Sequence, residues 1–374
     1  MRFVRSLFLM ESAHVGSLNA FDQARPHDPT RGWLGGPPPS ADALGEAAAA
    51  LSLDDLREAL FQEYTVLKRN KAIRPLPYGF LVLILDAHEC GASYLRKSEG
   101  SLTRRVKTAD GERPQYYYRY VTAMLLHAQG RVLLDLEPLR PGEDEIAAAQ
   151  RLFVRVEERY PRAFDTVAGD SLYLNPDFWK LVDQRGKYFI AVLKNENRDL
   201  VVDARSLFPR TPSVRWTEGH TDIEAWDIPD LTTGPQYGKP VRVVRTIETH
   251  PVRRQATQDV EVQKTEWLWA TNIPPTKAPR RILVALGHGR WTIENQGFNE
   301  IVNTWHGDHI YKNDLHAIVA CLLLLFLAYN LFHAFFVRDL KPELRAAHTM
   351  AFFVEKIRSA FYEAIPAHRR GRPP

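Results

Sequence analysis

The sequence predicts an α/β protein in which a mixed β-sheet is flanked by helices, and three observations carry that expectation. The stretch "PYGFLVLILDAHE" (77–89) contains a short continuous apolar run, the pattern of a buried central strand. "QYYYRYVTAMLLHA" (115–128) and "GRVLLDLEPL" (130–139) follow, rich in the aromatic and branched side chains that strands favour. Helical and strand-like patterns then alternate, the order that covers a sheet with helices.

Taken along the chain, residues 21–40 are rich in Pro and Gly and read as a loop. Residues 40–71 read as helices, with Ser40 as a cap and the pattern restarting at Ser52. They end in a basic cluster of Lys68, Arg69, Lys71 and Arg74, either a solvated helix end or a phosphate-contacting surface. The first strand ends in Asp86, and a looped basic segment with Arg96, Lys97, Arg104, Arg105 and Lys107 leads to the next. After two more strands, "PGEDEIAAAQRLFVRVEERY" (141–160) is a helix with Pro141 near its start and acids in its first turn. "FDTVAGDSLY" (164–173) is a fourth strand ending at Asp170. "PDFWKLVDQRG" (176–186) is a short helix stopped by Gly186, and "KYFIAVLKN" (187–195) is a fifth strand.

From 196 to 270 the helical period disappears, and pieces such as "KPVRVVRTIETH" and "TEWLWATNI" suggest a β-rich insertion. Helices resume after the Pro-rich 272–281 and run to a basic tail, "AHRRGRPP", expected to be disordered. Two segments imitate membrane signals. The opening 16 residues have a short apolar run, but Glu11 and His14 interrupt it and no clean cleavage site follows. The run 317–337 is long enough to span a bilayer, yet Asn330 and His333 sit inside it, so a fully buried helix is the expectation. Cys90 and Cys321 offer no metal spacing or disulfide framework, which fits a reducing cytoplasm. A net charge of +4 permits nucleic acid as a partner, but only local basic clusters could make the case.

Three carboxylates stand out as candidate metal ligands: Asp86 and Asp170 at strand ends, and Glu294 on a late helix. Hard cations such as Mg²⁺ take oxygen ligands, and two such ions can clamp an in-line phosphoryl displacement. Each Asp alone is more often a turn former than a ligand. Asp135, Glu137, Glu143, Asp144, Glu145, Asp165 and Asp177 compete for the same roles. In "GRWTIENQGFNEIV" (289–302), helical spacing gathers Trp291, Phe298 and Val302 into one apolar stripe. It sets Glu294 at the border of that stripe and Arg290 further toward the polar side.

The order of these motifs, with "LDAHE", "EPLRPGEDE", "DTVAGDSLY", "KYFIAVLKNEN", a β-rich stretch, "GRWTIENQGFN" and "AYNLF", resembles a DDE transposase of bacterial insertion sequences. More narrowly it is similar to insertion-sequence family four, over residues 40–360. The resemblance implies an RNase H-like mixed sheet flanked by helices, interrupted by a β-rich insertion, with helical N- and C-terminal regions. The expected organisation is a helical region at 1–77 with a possible DNA-binding role and a catalytic core at 78–195. The insertion would then occupy 196–270, the second part of the core with the glutamate helix 271–340, and a helical region with the basic tail 341–374. The resemblance maps the acidic triad onto Asp86, Asp170 and Glu294, holding two Mg²⁺ or Mn²⁺ ions. Transposon-end and target DNA are the implied substrates, Arg290, Lys68, Arg69, Lys71, Arg104 and Arg105 the candidate DNA contacts, and a homodimer on DNA the working form. A cytoplasmic, nucleoid-associated protein without membrane contact follows from the same likeness.

The family's glutamate signature is Tyr, Arg, Glu and Lys. Here Arg290 and Glu294 match, while Gly287 stands at the Tyr position and Ile301 at the Lys position. His288 is the neighbour that could substitute in part. Trp216 and Trp226 are available to stack on a displaced base, with core packing as the other reading. Competing functions are an RNase H-like nuclease without strand transfer, an inactive remnant that binds DNA, and a single-span membrane protein.

Overall fold

The computed structural model describes residues 1–24, 32–109, 111–194, 199–233, 236–253 and 259–363. The basic tail 367–374 lies outside them. The chain forms two compact units. The first takes Met1–Arg74, Ala87–Pro161 and Ile293–Pro374, the second Pro75–Asp86 and Arg162–Thr292. Strand β1 (Val82–Ser93) belongs partly to each.

In the first unit, helices α1 (Arg2–Ser12), α2 (Leu18–Ala24), α3 (Ala41–Ala50) and α4 (Leu53–Arg69) precede β1. Ser40 and Ser52 cap α3 and α4, their hydroxyls accepting from the amides of Ala43 and Asp55 as the sequence predicts. Strands β2 (Leu102–Thr108), β3 (Gly111–His127) and β4 (Gly130–Pro138) form an antiparallel set with β3 in the middle. Arg104, Arg105 and Lys107 are therefore in a strand, not a loop. The sequence hides it because β2 buries no side chain and shows no apolar alternation.

Every residue from Arg131 to Glu137 is buried, so β4 is covered on both faces. Helix α5 (Glu145–Arg159), capped by Asp144, packs on β3 and β4. Helix α10 (Leu315–Arg338) is the apolar run of the sequence, and it packs against α1, α3, α4 and β4. Its polar residues have structural partners. Asn330 Oδ1 accepts from the Leu133 amide at 2.8 Å, and its Nδ2 donates to the Leu133 carbonyl at 2.9 Å. The helix thus hydrogen-bonds both backbone groups of Leu133 in β4. The apolar start of the chain is likewise buried, with Leu7 and Met10 fully enclosed in α1.

The second unit is a sheet in the order β1–β5–β6–β10–β9–β8–β7. Strand β1 pairs in parallel with β5 (Thr166–Gly169), and β5 with β6 (Tyr188–Val192). From there β10 (Val260–Thr271), β9 (Val241–Arg253), β8 (Thr221–Leu231) and β7 (Val214–Glu218) continue antiparallel. Helix α6 (Pro176–Gln184) packs on β6, and α8 (Arg280–Gly289) lies against β6, β8 and β9. Parallel central strands, antiparallel partners and flanking helices make this the RNase H-like α/β architecture that the resemblance implies.

Two local expectations change. Within 196–270 the chain first makes helix α7 (Asp199–Leu207), whose buried Leu200, Val201 and Ala204 give too short a pattern to stand out from sequence. Strand β1 does not end at Asp86 but continues to Ser93; the sequence hides this half because it is largely polar and only Cys90 is buried there.

Candidate active site

Asp86 and Asp170 are brought together by strand register. In the parallel pair β1–β5, Val82 faces Thr166, Leu83 faces Val167 and Ile84 faces Ala168. The same offset carried two residues on would set Asp86 level with Asp170. The pairing ends at Ile84 and Ala168, and β5 at Gly169, so Asp86 and Asp170 follow the paired stretch at the same end of two neighbouring strands, a spacing of about 4.7–4.9 Å.

Asp170 lies just beyond β5 and caps the 3₁₀ turn Ser171–Tyr173, its Oδ1 accepting from the Leu172 amide at 2.8 Å. The preceding Gly169 makes that turn possible. A Cβ there would lie 2.4 Å from the Tyr173 ring. Asp86 has 14% of its side chain exposed, and Arg290 Nη1 is 3.6 Å from its Oδ2. Arg290, expected toward the polar side, is buried at 4% exposure. A buried guanidinium beside a carboxylate keeps the local charge balanced.

Glu294 lies in the first unit, exposed, on a segment that is not an α-helix. Residues Ile293–Phe298 form a π-helical turn, followed by α9 (Asn299–Asn303). The turn changes the phase, so Ile293, Gly297, Phe298 and Ile301 are the buried residues, while Trp291 and Val302 of the expected stripe are only half-buried. π-turns within helices are uncommon and frequent at functional sites.

The competing carboxylates have structural partners. Asp135 accepts from Arg57 Nε at 3.1 Å and Arg155 Nε at 2.6 Å. Glu137 accepts from Arg151 and Arg155, Glu143 from Arg151, and Glu145 from Arg119. Asp165 stands at the other end of β5 from Asp170, accepting from the Leu81 amide and the Thr166 hydroxyl. Burial raises its carboxyl above the usual range despite those bonds. Asp177 is an exposed first-turn acid paired with Lys180.

An oxygen donor pair such as Asp86 and Asp170 fits a hard cation, since Mg²⁺ usually takes one or two carboxylates and completes its shell with water and phosphate oxygens. Among the described residues, no group of three or more His, Cys, Asp and Glu side chains is gathered as a ready-made metal cluster.

The transposase DDE domain model matches residues 79–331. The chain belongs to the DDE transposase family. No curated protein matches it. A member of this family is an enzyme of phosphodiester chemistry that acts on DNA, and DDE transposases in general use divalent metal ions.

The positions that the expected glutamate signature would give to Tyr and Lys are tightly packed in this chain. A Cβ on Gly287 would lie 2.5 Å from the Trp269 indole, so α8 approaches β10 too closely for any larger residue. Ile301 is fully buried, and its side chain occupies the space a Cβ on Gly307 would enter. His288, next to Gly287, is held by Glu248 at 2.7 Å, with Trp267 and Trp269 against its ring. That carboxylate–imidazole pair was not legible in sequence, because Glu248 lies forty residues earlier on β9.

The basic candidates other than Arg290 fall in separate places of the first unit. Lys68 and Arg69 occupy the last turn of α4, and Lys71 follows it, all exposed. Arg104 is tied to Glu89 by two 2.7 Å bonds, while Arg105 has 82% of its side chain exposed. In the second unit, Trp216 and Trp226 are half-buried, each under an arginine: Arg281 for the former, Arg245 for the latter.

Proposed function

We propose that this chain is a transposase that cleaves DNA at transposon ends and joins the freed end to target DNA, with Asp86, Asp170 and Glu294 as its acidic triad. The observation that supports the reading is the parallel β1–β5 register, which, carried two residues beyond its last pair, would bring Asp86 opposite Asp170. Asp170 is preferred to Asp165 and Asp177 for that reason, and because Asp165 belongs to the opposite strand end.

When bound to these carboxylates, two Mg²⁺ or Mn²⁺ ions would lower the pKa of an attacking water and neutralise charge on the scissile phosphodiester. The protein's own residues supply positioning. The Asp170 turn fixes one carboxylate through the Leu172 amide, and Arg290 orients Asp86 and offers positive charge where a DNA phosphate enters. Lys68, Arg69, Lys71 and Arg105 are exposed cations suited to the DNA backbone. Arg104 would join them by exchanging Glu89 for phosphate. A homodimer on DNA, in the cytoplasm and away from membranes, completes the proposal.

The test is to incubate the purified chain with DNA from both gene flanks, with and without Mg²⁺ or Mn²⁺, beside Glu294→Gln. Metal-dependent cuts at fixed positions that vanish in the variant, while DNA binding survives, are expected. Undiminished cutting by the variant would overturn the triad. Cuts without joined products would leave a nuclease, and binding without cuts an inactive remnant.

A further inference from the structure

We propose that Arg131 and Glu300 are positioning residues that pin the π-turn and thereby set the orientation of Glu294, an inference that rests on the role proposed for that glutamate. The parts lie far apart in sequence but close together in the first unit. Arg131 opens β4, and its side chain is 6% exposed. Its Nη1 donates to Gln296 Oε1 at 2.9 Å, and its Nη2 to Glu300 Oε2 at 2.5 Å. One guanidinium therefore grips the π-turn at Gln296, two residues from Glu294, and the short helix that follows it at Glu300.

The grip is backed from α10. Arg131 Nε donates to the Tyr329 hydroxyl at 2.5 Å, and that hydroxyl donates to Glu300 Oε2 at 3.0 Å. His333 Nε2, one turn further along α10, lies 3.1 Å from the same oxygen. Glu300 thus faces Arg131, Tyr329 and His333 at once. Burial pushes its carboxyl up, but the His333 hydrogen bond and the Arg131 charge outweigh burial and hold it below the usual carboxylate range. Glu300 is therefore an anion at neutral pH, and the Arg131 bond is charge-assisted. Between the two gripped residues, Phe298 stacks on His88 of β1 with ring centroids 4.8 Å apart.

Burying an arginine and a glutamate is a poor way to gain stability, because desolvation offsets most of the attraction. What a planar, multiply bonded guanidinium supplies is geometry. The π-turn needs such restraint, since a regular α-helix is the local alternative and would carry Glu294 to a different phase. Strand, turn and core helix are here bonded to one another around the carboxylate-bearing segment.

The test uses the full chain and four proteins: wild type, Arg131→Met, Gln296→Ala and Glu294→Gln. Gln296 is exposed, so its variant keeps the core intact if Arg131→Met fails to fold. Backbone hydrogen exchange is followed over 293–299 without metal or DNA. Flank-DNA cleavage is then measured across Mn²⁺ concentrations. For Arg131→Met, exchange in the segment should rise about tenfold or more. Cleavage should fall about 10–100-fold with a higher Mn²⁺ requirement, as for lost support of a metal ligand. DNA affinity should hold, and Gln296→Ala should shift the same readouts less. Unchanged exchange, or raised exchange with cleavage and Mn²⁺ requirement intact, would overturn the positioning role. Failure of the functional reading would show separately, as Glu294→Gln cutting like wild type, and would remove the positioning role with it.

Discussion

A tyrosine at position 287 would have to push into Trp269, because even a methyl group there would lie 2.5 Å from the indole. Gly287→Ala should therefore destabilise the second unit by about 1–3 kcal/mol through overpacking, read as a lower urea midpoint, without raising cleavage. A more active, equally stable variant would show that the glycine is a functional loss and not a packing requirement. At residue scale the candidates Arg290 and Glu294 were legible because they are four apart in a recognisable string. The reason for Gly287 was not, since Trp269 is contributed by a strand that precedes the helix by a Pro-rich connection. The same holds for Asp135 and Glu137, which sequence offers as metal ligands and the fold assigns to Arg57, Arg151 and Arg155.

Helix α10 shows what an element needs beyond its pattern. Its composition would suit a bilayer, but Asn330 satisfies both backbone groups of Leu133 and so ties the helix to β4. Asn330→Leu, which keeps the volume, should leave those two groups unsatisfied at about 1–3 kcal/mol each. Urea unfolding would measure it, and an unchanged midpoint would mean that other groups take over those bonds. Caps were legible at this scale, as Ser40 and Ser52 show, because a cap is a contact within one turn. The π-turn was not, because its backbone agrees with no local period and its support comes from Arg131, more than 160 residues away. Strand β2 leaves no trace in the sequence for a different reason, having no buried face to create a pattern.

For the molecule as a whole, pH sensitivity follows from Glu63 on α4. Burial raises its carboxyl from 4.5 to about 8, against the lowering effect of the hydrogen bond from Asn330. The folded chain thus holds a proton that the unfolded chain releases above pH 4.5. That stabilising contribution is complete below the unfolded value and is lost as pH rises through about 8. Glu63→Gln, which stays neutral and can still accept from Asn330, should raise the melting temperature above pH 8. The gain should fade toward pH 4.5. A gain that is the same at both pH values would remove the titration from the explanation. Fold also decided where the two cysteines go: both are buried thiols on the wall of one small cavity of the first unit, shared with Glu11.

The sequence by itself determined the α/β class, several helices, the caps Ser40 and Ser52, the central strands and the family. Each depends on residues within one element or on the order of elements along the chain. Only the tertiary structure decided that β1 and β5 pair in parallel up to Ile84 and Ala168, that Arg290 is buried against Asp86, and that Glu294 rides on a π-turn. Register, burial of a charge and helix phase are set by partners distant in sequence, and no local pattern carries that information.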